Sequence, residues 1–156
     1  MMQLAEYRGR KVVVLGLARS GVAAAKLLHG IGADVVVNDN KPREACPEAD
    51  ELEALGISVV CGSHPVGLVD EHVALLVKNP GIPYSAAPVA EAARIGVEIV
   101  TEVEVAGQIS TAPIIGITGS NGKTTTTSLT GLLLEAAGLH PLVAGNIGRP
   151  LSEAAG

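Results

Sequence analysis

Lys11, Val12, Val13, Val14, Leu15 and Gly16 form an apolar run with no polar alternation. A strand with one wet face alternates apolar and polar side chains, so an unalternated run must be covered on both faces. Similar short runs occupy 34–38, 57–61, 73–77 and 97–100. Helical patterns separate them. The first runs from Ser20, the expected N-cap, to about Gly30, with Val22, Ala25, Leu27 and Leu28 at helical spacing. A short helix over 47–55 is stopped by Gly56, and one over 86–95 is ended by Gly96. Strands alternating with helices predict a parallel α/β sheet.

Composition narrows the function classes. The 156 residues are 47% apolar but only 1% aromatic, so the core is aliphatic. A net charge of −5 argues against a nucleic-acid partner, which needs a basic face. No apolar run approaches the roughly 20 residues of a membrane span, and no basic segment followed by an apolar stretch marks a signal peptide. Cys46 and Cys61 read as free thiols in a reducing, cytoplasmic setting. The histidines at 29, 64, 72 and 140 lack metal-ligand spacing, so no zinc site is expected.

A domain boundary is predicted near Thr101. Residues 102–110 carry an amphipathic helical pattern, after which the strand-then-helix rhythm restarts. A strand is predicted at 114–118, a helix from 123 to about 137 with an apolar stripe of Leu129, Leu132, Leu133 and Ala136, a strand at 141–144 and a helix start near Pro150. Two strands and two helices are too few to cover both faces of a parallel sheet. The expectation is a domain at 1–101 followed by the truncated beginning of another at 102–156, the N-terminal portion of a larger enzyme.

The restart carries the strongest motif: Gly116, Ile117, Thr118, Gly119, Ser120, Asn121, Gly122, Lys123, Thr124 and Thr125. A glycine-rich turn that opens a helix aims backbone N–H groups at a phosphate, and the helix start and Lys123 add positive charge. Ile117 stands where the strict Walker pattern has its first glycine, so the match departs by one residue. Lys123 can reach the β- and γ-phosphates of ATP, and the Thr124 hydroxyl can ligate Mg²⁺. Two or three of the four threonines at 124–127 are expected to satisfy N–H groups at the helix start.

The earlier loop at 16–21 resembles a dinucleotide fingerprint, but its middle glycine is Ala18, which hinders close approach of a pyrophosphate along the NAD route. It reads either as a phosphate-binding turn or as a plain structural one. Asp39, Asn40 and Lys41 follow the second strand, where Asp39 can accept hydrogen bonds from a ribose or base, or simply be solvated. Asn79, Pro80 and Gly81 favour a type II turn whose N–H groups can face the same ligand. Gly145, Asn146, Ile147 and Gly148 make a glycine-rich loop in which Asn146 is a candidate substrate contact. Arg19, Arg94 and Arg149 are phosphate-binding candidates or ordinary surface charges.

Residues 118–125 resemble the ATP loop of the Mur ligases and their folylpolyglutamate synthetase relatives, including the one-residue departure. The stretches at 145–150, 16–21 and 79–82 are similar to the members that add D-glutamate. The resemblance implies a Rossmann-like parallel-sheet domain followed by the start of a P-loop Mur-ligase central domain. It implies an ATP- and Mg²⁺-dependent ligase of peptidoglycan synthesis joining D-glutamate to UDP-N-acetylmuramoyl-L-alanine through an acyl phosphate. By that analogy Gly119, Ser120, Asn121, Gly122, Lys123, Thr124 and Thr125 bind ATP, with Lys123 and Thr124 catalytic and Thr124 on the metal. Arg19, Ser20, Asp39, Asn40, Lys41, Asn79, Pro80, Gly81 and Asn146 bind the UDP-sugar. Further domains would hold D-glutamate, and the 156 residues alone would be inactive. Another Mur ligase or a folylpolyglutamate-synthetase-like enzyme is the nearest alternative. A dinucleotide-binding oxidoreductase and a P-loop switch are more distant ones.

Overall fold

The computed structural model describes residues 3–145 and 148–155. Five parallel strands, β1 Lys11–Leu15, β2 Asp34–Asp39, β3 Ser58–Cys61, β4 Val73–Lys78 and β5 Glu98–Thr101, make one sheet in the order β3-β2-β1-β4-β5. The helices are α1 Arg19–Gly30, α2 Glu48–Ala54, α3 Ala87–Ile95, α4 Glu102–Ile109, α5 Lys123–Ala136 and α6 Leu151–Ala155. The chain runs outward from β1 through β2 to β3, then returns to lay β4 beside β1. The loops leaving β1 and β4 therefore diverge, which opens the crevice where ligands of open α/β sheets bind.

The unalternated apolar strands are covered on both faces. Val12, Val14, Val35, Val37, Leu75 and Val77 face one cluster with Ala25 and Leu28 of α1, Leu52 of α2 and Val105 of α4. Val13, Leu15 and Leu76 face the other, with Val89 and Ala92 of α3. This is the period of two along a strand, with both faces apolar. Each fully buried Val or Leu contributes about 1.5–3 kcal/mol, so the aliphatic layers are the main driving force.

Helix ends follow local chemistry. Gly96 closes α3 in the left-handed region at φ 78°, where a Cβ would be strained. At α4 the Glu104 carboxylate accepts the backbone N–H of Thr101 at 2.7 Å, half of a capping box. Ser20 does not cap α1 as expected. Ala18 occupies that position without a side-chain bond, and the Ser20 hydroxyl donates instead to Asn79 Oδ1.

The strands expected at 114–118 and 141–144 do not form. A strand exists by its ladder, and among the described residues neither segment has a neighbour to pair with. The helix between them does form. Its stripe lies open, with Leu129, Leu132 and Leu133 at 55%, 61% and 72% exposure.

One close approach holds the mouth of the sheet together. A Cβ placed on Gly21 would fall 1.9 Å from the Gly16 carbonyl oxygen. Gly21→Ala is therefore expected to cost about 3 kcal/mol, the upper range for overpacking against backbone. Urea unfolding checks this, and an unchanged midpoint would refute it.

Candidate functional site

The crevice is built from the loops after β1, β2 and β4. Gly16 turns the chain out of β1 at φ 98°, and its N–H donates to the Asn38 carbonyl at 2.8 Å. A Cβ on Gly16 would lie 2.6 Å from Asn79 Nδ2. Asn79 thus sits directly over the glycine turn. Its backbone N–H donates to the Leu15 carbonyl at 3.3 Å, and its side chain accepts from Ser20. The sequence candidates Gly16, Ser20 and Asn79 are brought into one cluster, which leaves the first turn of α1 at the crevice. The early N–H groups of such a turn have no intrahelical partners and suit an anion.

Asp39 braces this cluster from β2. Its carboxylate accepts the Leu17 N–H at 2.8 Å and the Lys41 N–H at 2.9 Å. Asp39 thereby shapes the β1 loop as well as its own, and each oxygen keeps a lone pair for a further donor. Asn40, Lys41, Pro80 and Gly81 are exposed along the same rim. The Lys41 carbonyl accepts the Gly62 N–H at 2.7 Å, and Cys46 Sγ approaches it at 3.9 Å. Burial, and then a hydrogen bond with the Cys61 side chain, push the Cys46 thiol up to about 11. Cys46 stays a neutral packing residue at ordinary pH and is no nucleophile.

Four features of this region were missed in the sequence. Asn38 is fully buried, with its amide nitrogen donating to the carbonyls of Val60 and Ser63 at 2.9 and 2.8 Å. Its oxygen therefore faces His64 Nδ1 at 2.5 Å, which makes Nδ1 the protonated ring nitrogen. Lys78 ends β4 at 4% exposure and donates to the carbonyls of Ile82 at 2.9 Å and Asn79 at 3.4 Å. Tyr84 lies against that ammonium, 4.7 Å from Nζ to the ring centroid. A lysine closing an apolar strand was the available sign, since a buried charge needs dedicated partners.

The fourth is Glu102, also 4% exposed, whose Oε1 accepts both the N–H and the hydroxyl of buried Ser152 at 2.5 Å. This carboxylate caps α6, and α6 lies against α1 and α4. Arg19 makes a second tie, donating from Nη1 to the Gly148 carbonyl at 2.6 Å. Arg19 thus joins the first turn of α1 to the late glycine loop. Asn146 lies outside the described residues.

The Lys123 loop stands at the start of α5. Gly122 occupies its N-cap in the left-handed region at φ 76°, and Gly119 has φ 149°. Lys123 curls back over the turn, with Nζ donating to the carbonyls of Gly119 at 2.6 Å and Ser120 at 3.4 Å. Ser120, Asn121, Thr124 and Thr125 are exposed around it. The threonines do not cap as expected. The Thr127 hydroxyl donates back to the Lys123 carbonyl at 2.8 Å, and no side chain caps the helix. The helix-start N–H groups are left toward the loop. Lacking Cβ atoms at Gly119 and Gly122, the loop lets a polyphosphate approach its backbone. Thr124, in the first turn, leaves its hydroxyl exposed, an oxygen of the kind a hard cation could take as ligand.

The model of the Mur ligase MurD-like N-terminal domain family matches residues 10–101. The UDP-N-acetylmuramoylalanine--D-glutamate ligase of Enterococcus hirae is 57% identical over 148 residues, 94% of this chain and 32% of the relative. The ligase of the same name from Geobacillus sp. (strain WCH70) is 57% identical over 155 residues, 99% of this chain and 34% of its own. The chain thus spans about a third of the length of these relatives. A murein peptide ligase from Psychrobacter arcticus 273-4 superposes with a TM-score of 0.58 at 19% identity, over 83% of this chain and 27% of that one. UDP-N-acetylmuramate-alanine ligase MurC from Thermotoga maritima gives 0.55 at 21% identity, over 81% and 29%. These two likenesses concern the fold alone.

The Glu102 tie is directly testable. Glu102→Ala leaves the Ser152 N–H and hydroxyl buried without their acceptor, at a cost of about 1–3 kcal/mol. Amide hydrogen exchange is expected to accelerate in α6 while β1 and β2 keep their protection. Unchanged exchange in α6 would show that the carboxylate does not hold the helix.

Proposed function

Since this chain belongs to the family of MurD-like Mur ligase N-terminal domains, we propose that it binds UDP-N-acetylmuramoyl-L-alanine and carries the ATP cradle of a ligase that joins D-glutamate to that substrate. Residues 1–101 form the UDP-sugar unit on this reading, and residues 102–156 open the ATP-binding central domain. The remainder of a full-length protein would supply the D-glutamate and adenine sites and cover the open stripe of α5. The 156 residues alone would not turn over. No helix among the described residues is long and apolar enough to cross a membrane, in keeping with a cytoplasmic enzyme.

ATP with Mg²⁺ would supply the activation: the substrate carboxylate would take the γ-phosphoryl group with release of ADP, and the amine of D-glutamate would attack the acyl carbon and expel inorganic phosphate. The chain's own residues bind and orient. Lys123 holds a full positive charge over the glycine turn, so its ammonium can exchange the Gly119 and Ser120 carbonyls for phosphate oxygens. Preorganised charge of this kind stabilises a transferring phosphoryl group without reorganisation during the reaction. The Thr124 hydroxyl would hold the metal. Gly119, Ser120, Asn121, Gly122 and Thr125 would contribute backbone and hydroxyl contacts.

At the crevice the start of α1, with Arg19 and Ser20, would take the diphosphate. Asp39, Asn40 and Lys41 would meet the ribose and base, with Asn79, Pro80 and Gly81 opposite and Asn146 reaching in from the later loop. Ala18 at the N-cap suits a UDP-sugar better than NAD. The observation that carries this reading is the lysine folded over its glycine turn, in a chain 57% identical to a D-glutamate ligase.

Two outcomes are expected. UDP raises the thermal midpoint of the chain and NAD does not; the reverse order would favour an oxidoreductase. In the full-length protein Lys123→Ala lowers kcat by about 10²–10³, the usual loss for one preorganised contact to developing negative charge. A mutant within about twofold of the parent enzyme, on that scale, would remove Lys123 from the mechanism.

A further inference from the structure

Cys46 and Cys61 are the two cysteines of the chain, both free thiols, and the fold brings them together. Cys46 follows the turn at Arg43–Ala45 and is 2% exposed. Cys61 ends the edge strand β3 and is partly open to solvent. Three observations set the side chains beside each other. They share a hydrogen bond. Cys61 packs against the apolar cluster that contains Cys46, Ala49 and Leu52. Cys46 Sγ and the N–H of Gly62, the residue after Cys61, converge on one Lys41 carbonyl, at 3.9 and 2.7 Å. The Arg43 guanidinium is a further neighbour, hydrogen-bonded to the Cys61 side chain.

We propose that Cys46 and Cys61 are a redox-responsive pair that hydrogen peroxide converts into a disulfide, clamping the loop after β2 to the end of β3. Exposure sets the roles. Cys61 is the sulfur that a dissolved oxidant reaches, and Arg43 stands where negative charge develops during attack. The Cys61 sulfur attacks one peroxide oxygen, the O–O bond breaks, and Cys61 becomes a sulfenic acid as water leaves. The buried, neutral Cys46 thiol meets no oxidant and attacks nothing in the resting chain. Beside a sulfenic acid its position changes, because the departing hydroxide takes its proton. The S–S bond forms, the S–O bond breaks, and a second water leaves. One hydrogen peroxide is thereby reduced to two waters, while the two thiols lose two protons and two electrons. In a reducing compartment such a bond is transient, since small thiols reopen it by exchange. Its mechanical effect is local: closing it fastens the segment 39–46 to β3 and lowers the freedom of that segment. The proposal stands whether or not the crevice takes UDP.

The test uses the reduced 156-residue chain and hydrogen peroxide. The intact mass is expected to fall by two hydrogens, a non-reducing digest to join the Cys46 and Cys61 peptides, and dithiothreitol to restore the starting mass. Amide exchange over 39–46 should slow in the oxidised chain while β1 and β4 keep their rates. In Cys46→Ala a sulfenic acid should persist at Cys61 and be trapped by dimedone. In Cys61→Ser the Cys46 thiol should survive the same dose. Urea should slow bond formation at least about tenfold, since contact in the fold raises the effective concentration of one sulfur at the other. The pair is overturned if the unaltered chain keeps a free Cys46 thiol while Cys61 is oxidised, if the bond forms only between two chains, or if urea leaves the rate unchanged. Unaltered exchange over 39–46 in the cross-linked chain overturns the clamp. These measurements are made on the unaltered chain, so a variant that fails to fold does not spare the proposal.

Discussion

The contact between Gly21 and the Gly16 carbonyl is the constraint on which the rest of the molecule turns. It lets α1 begin immediately beyond β1, with its first turn at the mouth of the sheet. The same compactness leaves room for Asn79 to lie over Gly16 and join the β4 loop to the β1 loop. With any side chain at Gly21 the helix would have to back away, and the crevice would lose one wall. The backbone geometry that stabilises the sheet is therefore also what forms the ligand edge.

The two helix starts proposed to bind anions are built in different ways. At α1 the loop is braced by other elements: Asp39 takes the Leu17 N–H, and Asn79 engages Ser20. At α5 the loop is exposed, and the lysine is the brace, bonded to carbonyls of its own turn. A site that must hold a substrate in one orientation gains from the first arrangement. A site whose lysine must change partners when a polyphosphate arrives suits the second. The ties Arg19–Gly148 and Glu102–Ser152 connect the region of the first site to the later loop and helix. Both lie between residues far apart in the chain, so they restrain the late segment through tertiary contacts alone.

Much of the sheet was legible in local pattern. Runs such as Lys11–Leu15 and Val73–Lys78 have no polar alternation, and a strand covered on both faces has no other way to look. Gly56 and Gly96 stop helices where expected, because the left-handed conformation past a helix end admits glycine most easily. The glycine turn that opens α5 at Lys123 was legible because its parts are adjacent in the chain. The segments at 114–118 and 141–144 were misread for the opposite reason: their apolar pattern is right for a strand, but a ladder depends on a neighbour that local pattern cannot supply. Ser20 was misread similarly, since a hydroxyl near a helix start looks like a cap until a distant amide claims it.

By itself, then, the amino-acid order determined the parallel α/β rhythm, the glycine turns and the helix that opens at Lys123, all of which depend on residues close together along the chain. Only the tertiary structure decided that Asp39 braces the Leu17 turn, that Glu102 caps α6, and that Lys78 stands behind Tyr84. The first two are contacts between residues brought together from separate elements. The third spans six positions, but it needed the burial of β4 to take a lysine out of water and give it carbonyls and a ring for partners.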